Sequence, residues 1–310
     1  MKRIAVIDTG TNSTRLLVAD VDHCSVTELE RRTTITRLGE GVDKAGRLNR
    51  DAKERVRLSV SQYASIIARH EPLTTVMLAT SSVRDATDGA EFLAEIANRY
   101  AYDYKILTGD EEARLSFSGA TFHAAHEQRT LLFDVGGGST EIVVGEGADV
   151  TYARSMRLGC VRIKERFLGS GTASKKEIQA ASEYIDAILA DAIDPAQVSR
   201  IALGVGVAGT ITALAAIDLG LKVYDRDLVH NHEMTAEKVE GLFTWLAALP
   251  AAKRMLIPTM ESGRADVIVA GALIITRLLR YTGLRSFLVS ECDILDGAAL
   301  GVFEGKLRFP

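Results

Sequence analysis

The strongest constraint on how this chain can fold is an internal repeat. Ile7-Asp8-Thr9-Gly10-Thr11-Asn12-Ser13-Thr14 and Phe133-Asp134-Val135-Gly136-Gly137-Gly138-Ser139-Thr140 align Asp on Asp, Gly on Gly and Ser-Thr on Ser-Thr, 126 residues apart throughout. An apolar β-rich segment precedes each Asp and another follows each Ser-Thr, so both copies read as strand-turn-strand. Self-similarity in matching contexts points to duplication. The surrounding pattern agrees. Residues 3–7, 14–21 and 26–38 read as a β-meander, followed by a helix over 50–69 in which Val56, Val60, Tyr63, Ala64 and Ile67 recur at helical spacing. A strand over 75–80, a helix over 89–100, a strand over 104–107 and a helix over 110–125 complete a βββαβαβα order. Near Gln128 the order restarts, with strands over 130–134, 140–145 and 151–158, helices over 161–168 and 175–192, a strand over 201–206 and helices beyond. The expected architecture is α/β, with lobes at 1–126 and 127–293, the first completed by a C-terminal helix over about 294–310. A cleft between two such lobes is a common ligand site.

Composition narrows the ligand. The 310 residues, 47% of them hydrophobic, suffice for two cores, and the formal net charge is -4. No run of five or more like charges occurs, so neither a disordered tail nor a nucleic-acid-binding arm is indicated, and an anion must be held by a local site. Cys24, Cys160 and Cys292 are odd in number and far apart, which disfavours a disulfide framework and a zinc site and fits a reducing cytoplasm. The apolar run at the N-terminus is broken by Asp8 and Gly10, too soon for a signal peptide. Residues 267–275, bounded by Asp266 and Arg277, are about half of a membrane span and read as a buried helix.

The glycine loops carry the chemistry. Three glycines between strands lose much backbone entropy on ordering, yet Gly136, Gly137, Gly138 and Ser139 let backbone N–H groups approach a phosphate. A glycine-rich hairpin explains the triplet equally well. Asp134 and Glu141 shift the balance, because carboxylates beside a phosphate are repulsive unless a cation such as Mg²⁺ lies between them. In the first copy, Gly10, Thr11, Asn12 and Ser13 would suit an ordinary turn, and their weight comes from the repeat. Arg15 stands where the second copy has Glu141, so one loop presents a cation and the other an anion. A third cluster, 204–210, runs from a strand into a helix at Gly209 and Thr210; phosphate contact at a helix N-terminus and tight strand-helix packing explain it equally. It lacks the Lys-Ser/Thr ending of a Walker A loop. Thr108 and Glu111 have capping-box spacing, which explains Glu111 and leaves Glu112 unexplained. His230 and His232 form an H-x-H with no third ligand at a usual spacing, and a polar surface loop is the simpler reading.

Taken together, IDTGTNSTRLL (7–17), TRLGEGVDKAGRL (36–48), ATSSVRDA (79–86), GDEEARLSF (109–117), FDVGGGSTE (133–141), RLGCVR (157–162), GVGVAGTITAL (204–214) and GRADVIVAGALI (263–274) resemble the exopolyphosphatase and guanosine pentaphosphate phosphohydrolase family. The resemblance implies two ribonuclease-H-like lobes of the kind found in actin, sugar kinases and Hsp70. It implies that Glu112 is the general base, that Asp134 and Glu141 lie near the metal and the attacking water, and that Asp8 is the first-lobe acid. It further implies that 10–13 and 136–139 are phosphate loops and that Arg84 and Arg15 neutralise phosphate charge. Mg²⁺ or Mn²⁺ would be the cofactor, held through Asp8, Asp134 and Glu141. The expected substrate is inorganic polyphosphate, with guanosine pentaphosphate and nucleoside triphosphates as alternatives, and with no nucleic-acid or membrane partner. A homodimer is expected from the family alone. An ATP-dependent kinase and a non-catalytic sensor are the rival readings. Two departures stand out. Longer relatives carry further helical domains where this chain reaches Pro310, and Glu291-Cys292-Asp293-Ile294-Leu295-Asp296-Gly297 replaces the more usual Arg-Glu-Gly. Few cations (Arg15, Arg37, Lys44, Arg84) flank the expected site, which suits short polyphosphate chains.

Overall fold

The computed structural model describes residues 1–122, 128–169, 171–261 and 263–309. The chain forms two compact units, one of 1–123 with 292–310 and one of 124–291. The expected boundary at 126/127 and residues 123–125 of the helix expected over 110–125 lie outside the described residues.

The first unit contains β1 (Lys2–Thr9), β2 (Ser13–Val21), β3 (Val26–Ile35), α1 (Val42–Ala45), α2 (Arg50–His70), β4 (Thr74–Ala79), α3 (Ser81–Asp85), α4 (Gly89–Tyr100), β5 (Asp103–Ile106) and α5 (Gly109–Thr121). The second contains β6 (Thr130–Val135), β7 (Thr140–Glu146), β8 (Asp149–Met156), α6 (Cys160–Phe167), α7 (Lys175–Ala192), β9 (Leu203–Val207), α8 (Gly209–Asp218), α9 (Arg226–Val229), β10 (Glu233–Thr235), α10 (Ala236–Ala248), α11 (Ala251–Arg254), α12 (Ile268–Thr282) and β11 (Ser286–Val289). The last helix, α13 (Ile294–Phe303), belongs to the first unit.

The first sheet has the order β3-β2-β1-β4-β5, with the meander antiparallel and β4 and β5 added parallel to β1. The second has the order β10-β11-β9-β6-β7-β8, in which β8-β7-β6-β9-β11 repeats the same arrangement. This is the ribonuclease-H-like topology, present twice. The duplication read from the octapeptide therefore extends to the whole strand order.

Strand alternation builds the layers of the first unit. Ala5, Ile7, Leu16 and Val18 face Val56, Val60, Tyr63 and Ile67 of α2 together with α4, whereas Ile4, Val6, Leu17 and Ala19 face Leu295, Ala298 and Ala299 of α13. With both faces covered, β1 is a near-continuous apolar run that ends at the first polar position, Asp8. The close packing of α13 on α5 rests on two glycines. A Cβ on Gly119 would lie 1.9 Å from the Asp293 carbonyl oxygen, and one on Gly297 the same distance from that of Leu115.

Helix starts follow the capping rules. The Asn49 side chain accepts from the Asp51 and Ala52 N–H groups, and Thr108 with Glu111 and Ser174 with Glu177 form capping boxes. Residues 268–275, within the segment read as a buried helix, are all buried in α12. Among the described residues, no helix is long and apolar enough to cross a membrane.

Candidate active site

In the first unit, Asp8 is the penultimate residue of β1 and the chain turns back after Thr9, with the Gly10 N–H donating to the Ser13 carbonyl at 2.9 Å. The loop is braced by the following segment. Thr36 and Arg37 N–H groups donate to the Asn12 carbonyl and the Gly39 N–H donates to that of Thr11. This bracing ends β3 at Ile35, short of the expected Leu38, because Arg37 adopts a left-handed φ of 49° to make it. Asp8 is buried. Its Oδ2 receives Nε of Arg15 at 3.1 Å and Nη2 at 2.7 Å, while its Oδ1 has no hydrogen-bond partner.

Register brings further residues to the same sheet edge. Thr9 pairs with Ala79 and Ala79 with Ile106, so the chain leaves β1, β4 and β5 side by side. Beyond β4 lie Ser82 and Arg84 in α3, and beyond β5 lies Glu112 in the first turn of α5. Arg84 donates through Nη1 to the Leu107 carbonyl at 2.7 Å and to Glu112 Oε2 at 3.1 Å. Glu112 is buried to 8% exposure. Its neighbour Glu111 instead closes the cap and pairs with Lys105 at 2.7 Å. Burial opposes ionisation of Glu111, but Lys105 and Thr108 outweigh it and hold the carboxyl below its ordinary range. Four of the five buried side-chain atoms without a partner among the described residues are Asp8 Oδ1, Thr9 Oγ1, Asn12 Oδ1 and Ser82 Oγ, all at this edge. Such atoms carry a desolvation cost until something bonds them.

In the second unit the loop has the same closure, the Gly136 N–H donating to the Ser139 carbonyl at 3.0 Å. The carbonyls of Gly136 and Gly137 accept from the Cys160 and Val161 N–H groups at the start of α6, and that of Gly138 accepts from Nε of the buried Arg162 at 2.6 Å. Peptide planarity then turns the N–H groups of Gly137, Gly138 and Ser139 the opposite way, as an anion-binding loop requires. Gly159 makes this approach possible, since a Cβ there would lie 2.4 Å or less from the Gly137 carbonyl group. Asp134 and Glu141 face each other across β6 and β7, as Asp8 and Arg15 do across β1 and β2. Glu141 is buried and accepts from the Ser155 hydroxyl at 2.6 Å.

The third glycine cluster divides. Gly209 opens α8 directly under the Arg264 guanidinium. Thr210 is buried against Gly271 of α12, and burial pushes the nearby Cys160 thiol up to about 11. Each H-x-H histidine has its own partner. His230 Nδ1 accepts from the Glu291 N–H and His232 pairs with Asp218. Among the described residues, no three His, Cys, Asp or Glu side chains gather as a preformed metal site.

Sequence reading missed Arg162, Arg264 and Asp293. Arg162 and Arg264 lie inside quoted motifs but act through backbone and packing, which spacing does not reveal. Asp293 lies 278 positions from Arg15, the residue it pairs with.

Twin ribonuclease-H-like units, each with a tight Asp-to-Ser/Thr loop at the end of its first strand, define a duplicated α/β protein. The model of the Ppx/GppA phosphatase family matches residues 17–301. The chain belongs to that family. It is 35% identical to exopolyphosphatase 2 of Mycobacterium tuberculosis, over 97% of this chain and 99% of that one, and 28% identical to the guanosine-5'-triphosphate,3'-diphosphate pyrophosphatase of Aeromonas hydrophila, over 96% and 59%. A crystal structure of an exopolyphosphatase-like protein superposes with a TM-score of 0.91 at 32% identity, covering 98% of this chain and all of that one.

Proposed function

We propose that this chain is an exopolyphosphatase that releases orthophosphate from the end of inorganic polyphosphate by in-line attack of water. The observation that carries the reading is the sheet edge of the first unit. A buried carboxylate, Glu112, is fixed there by Arg84, and the four unpartnered oxygens of Asp8, Thr9, Asn12 and Ser82 lie along the same edge. The similarity to a curated exopolyphosphatase over nearly the full length of both chains supports the substrate class.

Phosphoryl transfer asks mainly for positioning and charge neutralisation. Glu112 accepts the proton of the attacking water, and Arg84 orients the carboxylate through Oε2. Residues Gly10 to Ser13 and Gly136 to Ser139 each bind phosphate oxygens, the second loop through the N–H groups that α6 and Arg162 turn outward. Gly209 presents a helix start to further phosphate, with Thr210 fixing that start by packing.

The donors of each unit fit a hard cation. Asp8 in the first unit, and Asp134 and Glu141 in the second, offer oxygen only, and Mg²⁺ is typically held by one or two carboxylates with substrate phosphates completing the shell. The unbonded Asp8 Oδ1 agrees with that mode. Mg²⁺, or Mn²⁺ in its place, would neutralise charge developing on the phosphates. Short chains are the preferred substrates. The protein is net acidic, and Arg15 and Arg84 are already bonded to carboxylates of their own unit. A reducing cytoplasm and a homodimer complete the proposal.

A second reading, hydrolysis of guanosine pentaphosphate, draws on the Aeromonas hydrophila relative. Orthophosphate release from short polyphosphate and from guanosine pentaphosphate, compared as kcat/KM with Mg²⁺ present, tests the choice. A higher value on polyphosphate is expected, and a higher value on the nucleotide would replace the first reading by the second.

A further inference from the structure

The role proposed for Asp8 depends on one of its oxygens staying unbonded, and the structure contains a device that keeps it so. Arg15 could grip Asp8 fork to fork, one N–H on each oxygen, the usual strong pairing of guanidinium and carboxylate. Instead both Nε and Nη2 converge on Oδ2. The remaining nitrogen, Nη1, is drawn off to Oδ2 of Asp293, so the guanidinium sits to one side of Asp8 and leaves Oδ1 without a partner.

Asp293 is well anchored for this. It is the N-cap of α13, where its Oδ1 accepts from the Leu295 N–H at 3.0 Å and its own N–H donates to Asp296 Oδ2 at 2.9 Å. Nη2 of Arg31 holds both oxygens of Asp296, at 2.8 and 3.0 Å. The backbone at Asp293 cannot drift toward α5, because Gly119 is already in contact with its carbonyl. Burial opposes the charge on Asp293, but Arg15 and Arg31 outweigh it and hold the carboxyl below its ordinary range.

We infer that Asp293 is a positioning residue, which acts through Arg15 to keep Asp8 Oδ1 open for the cation and phosphate of the reaction. The inference rests on the function proposed above. It gives the segment that departs from the family's Arg-Glu-Gly a role at the site.

The test separates holding Arg15 from capping α13. Ser, Asn and Asp cap helices about equally well, but Ser is too short to reach Arg15, and Asn, whose one acceptor oxygen serves the Leu295 N–H, turns an NH₂ donor toward the guanidinium. Asp293→Ser should lower kcat about tenfold or more and raise the Mg²⁺ concentration for half-maximal rate by a similar factor, the usual scale for removing a residue that orients a ligand. KM for short polyphosphate should change little, and Asp293→Asn, which keeps the cap and loses the acceptor for Arg15, should show a similar loss of kcat. Equal rates for Asp, Asn and Ser would reduce Asp293 to a cap and overturn the inference. If the Ser variant does not fold, Asp293→Gly, which caps nearly as well, takes its place with the same expectations. A readout independent of turnover is the Arg15 Nε–H resonance in ¹⁵N spectra. It should be protected from solvent exchange in the wild type, and shifted or lost in Asp293→Ser and Asp293→Asn. An unchanged resonance in the Ser variant overturns the inference. A wild type that releases no phosphate overturns the proposed function instead, and the resonance still decides whether Asp293 holds Arg15.

Discussion

Replacing Glu112 by Gln should separate chemistry from architecture. Glu112 receives one N–H of Arg84 at 3.1 Å, and Gln keeps both the shape of the side chain and an acceptor oxygen for it. The Arg84 side chain is 28% exposed, so water can take up the charge left without its partner, and the cost in stability should stay below the about 3–5 kcal/mol of breaking a fully buried pair. Losing a general base typically costs about 10² to 10⁴ in rate, and a hundredfold loss is about 2.7 kcal/mol of barrier. The adjacent Glu111→Gln should show the reverse pattern. It weakens a cap and the Lys105 pair, costing about 1 kcal/mol or less, and leaves turnover unchanged. Because the Glu111 carboxyl is held below its ordinary range, its contribution to stability is present above that range and is lost on acidification. Glu111→Gln should therefore matter less as the pH falls. Steady-state phosphate release with urea melts on both variants provides the assay. Equal activity loss in the two variants, or full activity in Glu112→Gln, would refute the assignment.

Gly119→Ala places a methyl group 1.9 Å from the Asp293 carbonyl oxygen, and overpacking of about 1–3 kcal/mol should appear as a lower urea midpoint and a lower turnover. Phosphate release should require Mg²⁺ or Mn²⁺ and stop in EDTA while the circular dichroism spectrum persists. Asp134→Ala and Glu141→Ala should each raise the metal concentration for half-maximal rate, and full activity in EDTA would end the metal role. Long polyphosphate at limiting enzyme should pass through intermediate lengths, with affinity falling as salt is added. Fully degraded chains coexisting with untouched ones would show processive action.

Much of the fold was legible because its signals are local. β-branched runs gave the two meanders, and cap residues such as Asn49, Thr108 and Ser174 mark helix starts. The repeated loop revealed the duplication, which the twin strand orders extend. Helix α3 was not legible, because five residues are too few to show a period. β10 and β11, of three and four residues, are too short to show alternation. At the candidate site, the residue types and loops were readable from pattern and resemblance, but the pairings were not. That Arg15 is shared between Asp8 and Asp293, and that Arg162 turns the Gly138 carbonyl, follow from the tertiary approach of distant segments. Composition carries no trace of either.

The claim that water is the acceptor is tested most directly by the fate of isotope. Polyphosphate should be incubated with the protein and Mg²⁺ in ¹⁸O-enriched water, and the released orthophosphate examined by mass spectrometry. The account predicts orthophosphate carrying a single ¹⁸O, formed at a rate that Glu112→Gln lowers at least a hundredfold. Absence of labelled orthophosphate, or phosphoryl transfer to an added acceptor in place of water, would contradict it.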